Sequence, residues 1–332
     1  MTAETLSIPG LAKPASRIAL GTWAIGGAMW GGADDANAAR TIDKALDLGI
    51  NVIDTAPVYG FGHSEEVVGR AVEGKRDKVI LATKVGLNWQ GGKIFRDSRP
   101  ARIEQEIEDS LRRLRTEYID LYQVHWPDVE TPLEETARAL ENLVKAGKVR
   151  ALGVSNFSPA QMDEFSKFAP LATIQPPYNL FEREIEQDVL PAAVRNKLVV
   201  LAYGPLCRGL LSGRMTADRK FEGDDLRNHD PKFQQPRFDQ YLKAVEDLKG
   251  IAEKHGKSML ALAVRWVLDR GPTIALWGAR KPEQISGVEE AFGWTLDEAD
   301  MKAIDTILTR DIQNPVGPEF MAPPARNRVQ GQ

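Results

Sequence analysis

Cysteine is almost missing from this chain: Cys207 is the only one in 332 residues. No intramolecular disulfide can form, which suits a reducing cytosol. Apolar runs of about 18 residues or more are also missing, which argues against a membrane-spanning helix. The opening "MTAETLSIPG" has neither the basic segment nor the apolar stretch of a secretory signal. Clusters of one charge sign are absent as well. The 43 Lys and Arg are spread along the chain and the net charge is −4, so neither a nucleic-acid footprint nor a basic membrane-binding helix is present. Finally, no strand-linked G-x-G-x-x-G occurs. "GGAMWGG" (26–32) has glycines at other spacings and reads as a flexible loop. These absences lead us to expect a soluble cytoplasmic protein with neither a nucleic-acid nor a membrane partner.

With 42% hydrophobic residues, the chain has enough apolar material for a large core, and its length fits two ordinary domains or one large barrel. The pattern decides between them. Eight short runs rich in Val, Ile and Leu recur, at 17–22, 50–55, 79–84, 119–125, 149–155, 171–175, 198–204 and 273–278, with helical segments between them. Near-continuous apolar strands alternating with helices indicate a parallel sheet covered on its outer face. Eight units favour closure, so the expected fold is an α/β (β/α)8 barrel forming a single domain over 1–332.

The helices carry start and stop signals. One begins at Asp34, with acidic residues in its first turn, and stops at Gly49; another starts from Ser98 with Pro100 near its first turn, and a third spans Thr131 to Gly147. In the second, Ile103, Ile107, Leu111 and Leu114 follow the spacing of one buried face. Two additional helices, near 241–255 and 258–270, share the last crossover, and the N-terminal "TLSIPGLAKPASRIAL" reads as a small hairpin closing the barrel floor. Segment 207–237, dense in charge, Gly and Pro, is long enough to be a functional lid or a disordered insertion. The Pro-rich tail from Asp311 is expected to be irregular and to form one wall of a pocket.

Barrel sites are built where strands end and loops begin. Strand two ends in Asp54 with Tyr59 in its loop, strand three in Lys84, and strand four in His125. Singly, each has an ordinary structural role: a turn cap, a packed ring, a rim lysine, a core histidine. Together they suit one task, protonation of a carbonyl oxygen as hydride reaches its carbon. A phenol is a poor acid at neutral pH, and a neighbouring ammonium lowers its pKa. Lys84 would supply that charge to Tyr59, Asp54 would keep Lys84 protonated, and His125 would donate a hydrogen bond to the same carbonyl oxygen.

With Asp, Tyr, Lys and His in this order, "VIDTAPVYG", "LATKVG" and "YQVHWPD" resemble the aldo-keto reductase superfamily, and "RIALGTWAIGG", "GVSNFS", "YGPLCRGLLSGR" and "GARKPEQ" extend the likeness over nearly the whole chain. The chain looks most like bacterial NADP-dependent reductases of the glycerol and glyceraldehyde type. The resemblance implies an extended nicotinamide dinucleotide across the barrel mouth, beside Gly21, Thr22 and Trp23. Ser155, Asn156 and Gln175 would bond the carboxamide and Tyr203 would stack on its ring. Gly204, Leu206, Arg208 and Gly209 would wrap the pyrophosphate, joined by Leu211, Gly213 and Arg214. Gly278, Ala279 and Arg280 would open a helix whose N-terminus receives a phosphate, with Gln284 nearby. Arg280, beside Lys281, presents a fork suited to a 2′-phosphate, which favours NADP(H) over NAD(H). One departure stands out: where the family has a Glu and Asn pair near the adenine, this chain reads Gly287 and Val288.

Trp23, Trp89, Trp126 and Trp277 fall near strand C-termini and Trp30 lies in the first loop, so five of the seven tryptophans gather at one rim. That suggests an aromatic-lined pocket. Trp23, Trp30, Trp89 and Trp126 are the candidate substrate contacts, with Trp23 and Trp126 nearest. No arginine cluster accompanies them, so small neutral aldehydes, ketones or polyols, hydroxyaldehydes included, fit best. No metal is expected. Two other readings are a cofactor-sensing regulatory subunit, which the resemblance allows, and a lyase using Lys84 as a Schiff-base amine. The sequence leaves monomer and homo-oligomer equally open.

Overall fold

In the computed structural model, which describes residues 3–330, eight parallel strands close into a barrel. They are β1 (Ile18–Gly21), β2 (Val52–Asp54), β3 (Ile80–Val85), β4 (Ile119–Val124), β5 (Val149–Ser155), β6 (Thr173–Gln175), β7 (Val199–Tyr203) and β8 (Thr273–Gly278). Each pairs with its sequence neighbour, and β8 returns to β1 through Gly278 opposite Gly21. The expected strands all form, several a residue or two shorter at their ends, because ladder pairing stops before the apolar run does.

The near-continuous apolar runs follow from burial on two sides. Inward residues such as Ala19, Val52, Ile80, Leu121, Val199 and Leu201 fill the barrel, and Ile8 and Ala15 of the N-terminal segment join that inner cluster. The hairpin Thr5–Leu6 with Ala15–Ser16 thus plugs the floor, as expected. Outward residues such as Ile53, Leu81 and Tyr122 meet the helices.

Those helices match their signals. Asp34 accepts from the Asn37 amide at the start of α1 (Asp35–Asp47), and Gly49 has φ +81° just past its end. Between β2 and β3 runs α2 (His63–Val72). Pro100 is the first residue of α3 (Pro100–Leu114), and Leu133–Lys145 forms α4. The last crossover holds the two additional helices, Arg237–Lys254, which begins before the expected 241, and Met259–Leu268.

Three features of the mouth position the site. A second hairpin, Leu87–Gln90 with Lys93–Arg96, stands after β3 and was not expected from the sequence. Segment 207–236 is ordered by short turns in which Asp225 and Asp230 accept from the amides of Arg227 and Lys232. The loops after β1 and β2 touch backbone to backbone: a Cβ on Gly26 would lie 2.5 Å from the carbonyl carbon of Tyr59.

Gly26→Ala is therefore expected to overpack this contact and cost about 2 kcal/mol. Gly250, inside a helix and with nothing within 4 Å of its Cβ direction, provides the contrast: Gly250→Ala is expected to stabilise by up to about 1 kcal/mol. Denaturant midpoints of both variants check the pair. Equal or reversed shifts would contradict the close approach.

Candidate active site

Asp54 is the last residue of β2, Lys84 the fifth of β3, and His125 follows β4 directly. Their side chains and that of Tyr59 meet above the barrel core. The Lys84 ammonium is fully buried and donates all three of its protons: to Asp54 Oδ2 at 2.5 Å, to the Thr55 carbonyl at 3.0 Å and to Tyr59 Oη at 3.2 Å. Since Tyr59 Oη accepts from Lys84, its own proton remains free for another acceptor. The His125 ring meets the Tyr59 ring edge-on, with centroids 5.7 Å apart.

Charge and burial set the protonation states. Burial works to lower the Lys84 pKa, but the charge of Asp54, joined by the hydrogen bonds to Asp54 and Tyr59, outweighs it and holds Lys84 above the usual lysine value. For Tyr59, burial raises the pKa and the Lys84 charge only partly opposes it, so the phenol lies above the ordinary tyrosine value. This corrects the expectation that Lys84 would leave Tyr59 with a lowered pKa: desolvation of the phenolate wins. Burial, followed by the Lys84 charge, pushes His125 well below its ordinary value, so the imidazole is neutral at pH 7. The arrangement is a neutral phenol and a neutral imidazole beside a fixed ammonium, able to donate a proton or hydrogen bond to an oxygen on which negative charge develops.

Tyr59 and His125 open onto a cavity of about 1160 Å3, which Trp23, Trp30, Trp126, Asn156, Gln175 and Tyr203 also line. Trp23 stacks on Tyr59 at 6.0 Å and meets Trp30 edge-on at 5.5 Å. Leu87 and Ile94 of the second hairpin and Phe320 and Met321 of the tail complete an apolar wall, so the tail does form one side of the pocket. Arg96 fastens that tail, donating to the Pro323 carbonyl at 2.9 Å, while Arg326 reaches Asp97 at 2.9 Å. Trp89 is a correction. It packs against Phe61 and the Arg102 guanidinium on the hairpin, and is not among the residues that line the cavity.

Of the residues expected to hold the cofactor, Gly21, Thr22, Gly204, Leu206, Gly209 and Arg214 line the cavity, and so do Gly278, Ala279, Arg280 and Gln284. Leu211 and Gly213 do not: Leu211 is wholly buried in the outer core. Arg208 lines the cavity, but its guanidinium faces Glu182 Oε1 and Asp230 Oδ2, each at 2.5 Å, in a buried cluster with Lys232. The negative charge it meets is the protein's own, which corrects its expected contact with pyrophosphate. Arg280 donates to the carbonyls of Trp30 at 2.6 Å and Gly32 at 3.1 Å. The helix after it is only Pro282–Ile285, and the amides of Arg280 and Lys281 are already capped by Gln284 Oε1. The expected phosphate seat on that N-terminus is thus taken by the protein's own amide. Val288 is buried and Gly287 has φ +83°, so neither replaces an amide contact to adenine.

Ser155 and Asn156 also spend their donors internally. Ser155 Oγ donates to the Gln175 carbonyl at 2.7 Å, and Asn156 Nδ2 to the His125 carbonyl at 2.9 Å and Ser155 Oγ at 3.0 Å. Tyr203 Oη donates to Asn156 Oδ1 at 2.9 Å. Segment 207–236 crosses the mouth to the loop after β1: the Met29 amide donates to Asp224 Oδ2 at 2.7 Å and the Leu226 amide to the Met29 carbonyl at 3.0 Å.

Sequence reasoning missed Gln123, whose Nε2 donates to Asp54 Oδ1 at 3.1 Å. Its signal was the two-residue period of β4, which puts Leu121, Gln123 and His125 on one face. Among the described residues no group of three His, Cys, Asp or Glu is placed to hold a metal, and no helix is long and apolar enough to cross a membrane.

Comparison with known proteins agrees with this geometry. Residues 17–309 match the Aldo/keto reductase family. The chain is 60% identical over 330 residues to the aldo-keto reductase YhdN of Bacillus subtilis (strain 168), covering 98% of this chain and 100% of that one. It is 63% identical to a glycerol dehydrogenase of Gluconobacter oxydans of known structure, with TM-score 0.89 and coverage of 97% and 100%. An aldo/keto reductase of Klebsiella pneumoniae solved with NADP and acetate superposes with TM-score 0.73 at 30% identity, covering 92% of this chain and 95% of that one. A closed eight-stranded barrel, the Asp54–Lys84–Tyr59 contact at its mouth and these likenesses make this chain an oxidoreductase of the aldo/keto reductase family.

Proposed function

We propose that the protein reduces aldehydes, and some ketones, to alcohols with NADPH, reversibly towards alcohols and polyols such as glycerol. One observation carries the reading: a phenol that accepts from a buried, carboxylate-paired ammonium and keeps its own proton for the cavity. The cavity fits an extended dinucleotide. Gln175, Asn156 and Tyr203 lie at its tetrad end, and Arg214, Arg219 and Arg280 bring positive charge to the rest of its wall. The NADP-bound relative supports the cofactor, and the glycerol dehydrogenase supports small hydroxylated substrates.

When bound, the reduced nicotinamide supplies hydride from its C4 to the carbonyl carbon. Tyr59 donates its proton to the carbonyl oxygen as charge builds there. An alkoxide is a far stronger base than a phenolate, so even a phenol with a raised pKa is a competent acid in this step. Lys84 stabilises the phenolate left behind, Asp54 keeps Lys84 charged, and neutral His125 orients the oxygen. The apolar wall of Trp23, Trp126, Ile94 and Phe320 excludes water from the reacting carbon. A Schiff base on Lys84 does not suit this site, because every proton of its ammonium is committed to a hydrogen bond.

Tyr59→Phe is expected to reduce aldehyde turnover by about 100-fold or more while NADPH still quenches tryptophan fluorescence on binding; retained turnover would remove Tyr59 from the proton step. Arg280→Ala is expected to lower kcat/KM with NADPH more than with NADH, and an unchanged ratio would place the 2′-phosphate elsewhere. The pH profile has a definite sign. Reduction needs the protonated phenol, and the Tyr59 pKa is raised, so the rate should hold through neutrality and fall only in the alkaline range. With His125 held neutral well below its ordinary pKa, no break is expected between pH ~6 and ~7; a break there would contradict the assigned states.

A further inference from the structure

Asp54 belongs to a buried polar layer, and one member of that layer, Gln123, has no part in the mechanism above. Barrel interiors are filled by layers of side chains from alternate strands. Here the uppermost layer takes Asp54 from β2, Gln123 from β4 and Gln175 from β6, and all three are buried. Asp54 Oδ2 is held by Lys84 and its Oδ1 accepts from both amides, from Gln123 Nε2 at 3.1 Å and Gln175 Nε2 at 2.9 Å. Gln175 Nε2 also donates to Gln123 Oε1 at 3.2 Å.

One charge orients every group in this layer. An ionised carboxylate only accepts hydrogen bonds, so both amides must turn their NH2 groups towards Asp54. Gln123 Oε1 then faces Gln175 and takes its second proton. Both donors of Gln175 are thereby spent, and Oε1, an acceptor, is the polar atom it retains for the cavity it lines. Gln123 itself cannot swing away on the β5 side. A Cβ on Gly153 would sit 3.0 Å from Gln123 Cγ and 2.2 Å from Thr173 Oγ1, so its strand neighbour is a glycine packed directly against it.

We propose that Gln123 is a positioning residue that fixes the amide of Gln175 carbonyl-outward, so that the site selects the N–H2 of a nicotinamide carboxamide over a group with no donor there. This rests on the NADPH reading given above. Ser155 Oγ and Asn156 Oδ1 already accept from Asn156 Nδ2 at 3.0 Å and Tyr203 Oη at 2.9 Å, which leaves Gln175 Oε1 as the acceptor that discriminates. Without Gln123, the Gln175 amide loses the acceptor of its second proton and turns more freely, and Asp54 loses one of its two amide donors.

The test compares NADPH with its reduced 3-acetylpyridine analogue, in which a methyl group replaces the carboxamide NH2. The kcat/KM ratio of the two cofactors is measured with one aldehyde for the wild type, Gln123→Leu and Gln123→Met. Taking the ratio between enzymes cancels the different redox potentials of the cofactors. Both variants are expected to discriminate less than the wild type by roughly five- to tenfold, the scale of one buried hydrogen bond. Using two variants of different shape keeps the test open if one fails to fold. A wild-type ratio in either active variant overturns the role of Gln123 while the carbonyl-reductase reading stands. A wild-type enzyme that neither binds nor oxidises NADPH overturns that reading and this inference with it.

Discussion

The site depends on one buried ion pair. Lys84 and Asp54 meet at 2.5 Å with side chains 0% and 3% exposed, at the top of the barrel interior above its apolar cluster. Taking two charges out of water is costly, and such a pair is weak evidence for stability. What it provides is orientation. The ammonium, out of protons to give elsewhere, fixes Tyr59 Oη as an acceptor. The carboxylate, through its second oxygen, turns two glutamine amides. Removing either partner would leave an uncompensated charge inside the barrel and unsettle three strands together.

The pair also shows how a single site can hold groups in opposite states without exotic chemistry. Desolvation raises the phenol and lowers the imidazole, in each case towards the neutral form. The ammonium remains charged only because the carboxylate outweighs its burial. Tyr59 is therefore a better-kept proton donor than one poised near pH 7, and its acidity is called on only when an oxygen in the cavity becomes strongly basic. Its phenolate, when formed, has a cation already in place.

Much of this was legible in the sequence because barrels report their mouths plainly. An apolar run that ends in Asp54, or one followed by His125, marks a strand tip whatever the fold does elsewhere, and the period of eight such runs fixed closure. What the sequence concealed were partners far apart in the chain. Arg208, in a loop rich in Gly and Leu, reads as facing a ligand; of the two carboxylates that neutralise it, Glu182 arrives from the loop after β6 and Asp230 from 22 residues further along its own segment. Trp89 reads as a rim aromatic until the unforeseen hairpin carries it away from the cavity. Gln123 lies inside an apolar strand run and looks like ordinary strand polarity until its face is matched to His125. The direction of the Tyr59 shift was missed for a similar reason: the neighbouring charge can be read from spacing, whereas the depth of burial is a property of the whole mouth.

The central claim is that the Lys84 charge acts on the Tyr59 phenol. Its most direct measurement is the alkaline titration of Tyr59, followed by NMR with 13C-labelled tyrosine, in the wild type and in Lys84→Met, with Tyr59→Phe identifying the resonance. Loss of the ammonium should raise the titration midpoint of Tyr59 by roughly one pH unit or more. An unchanged or lowered midpoint would contradict the account.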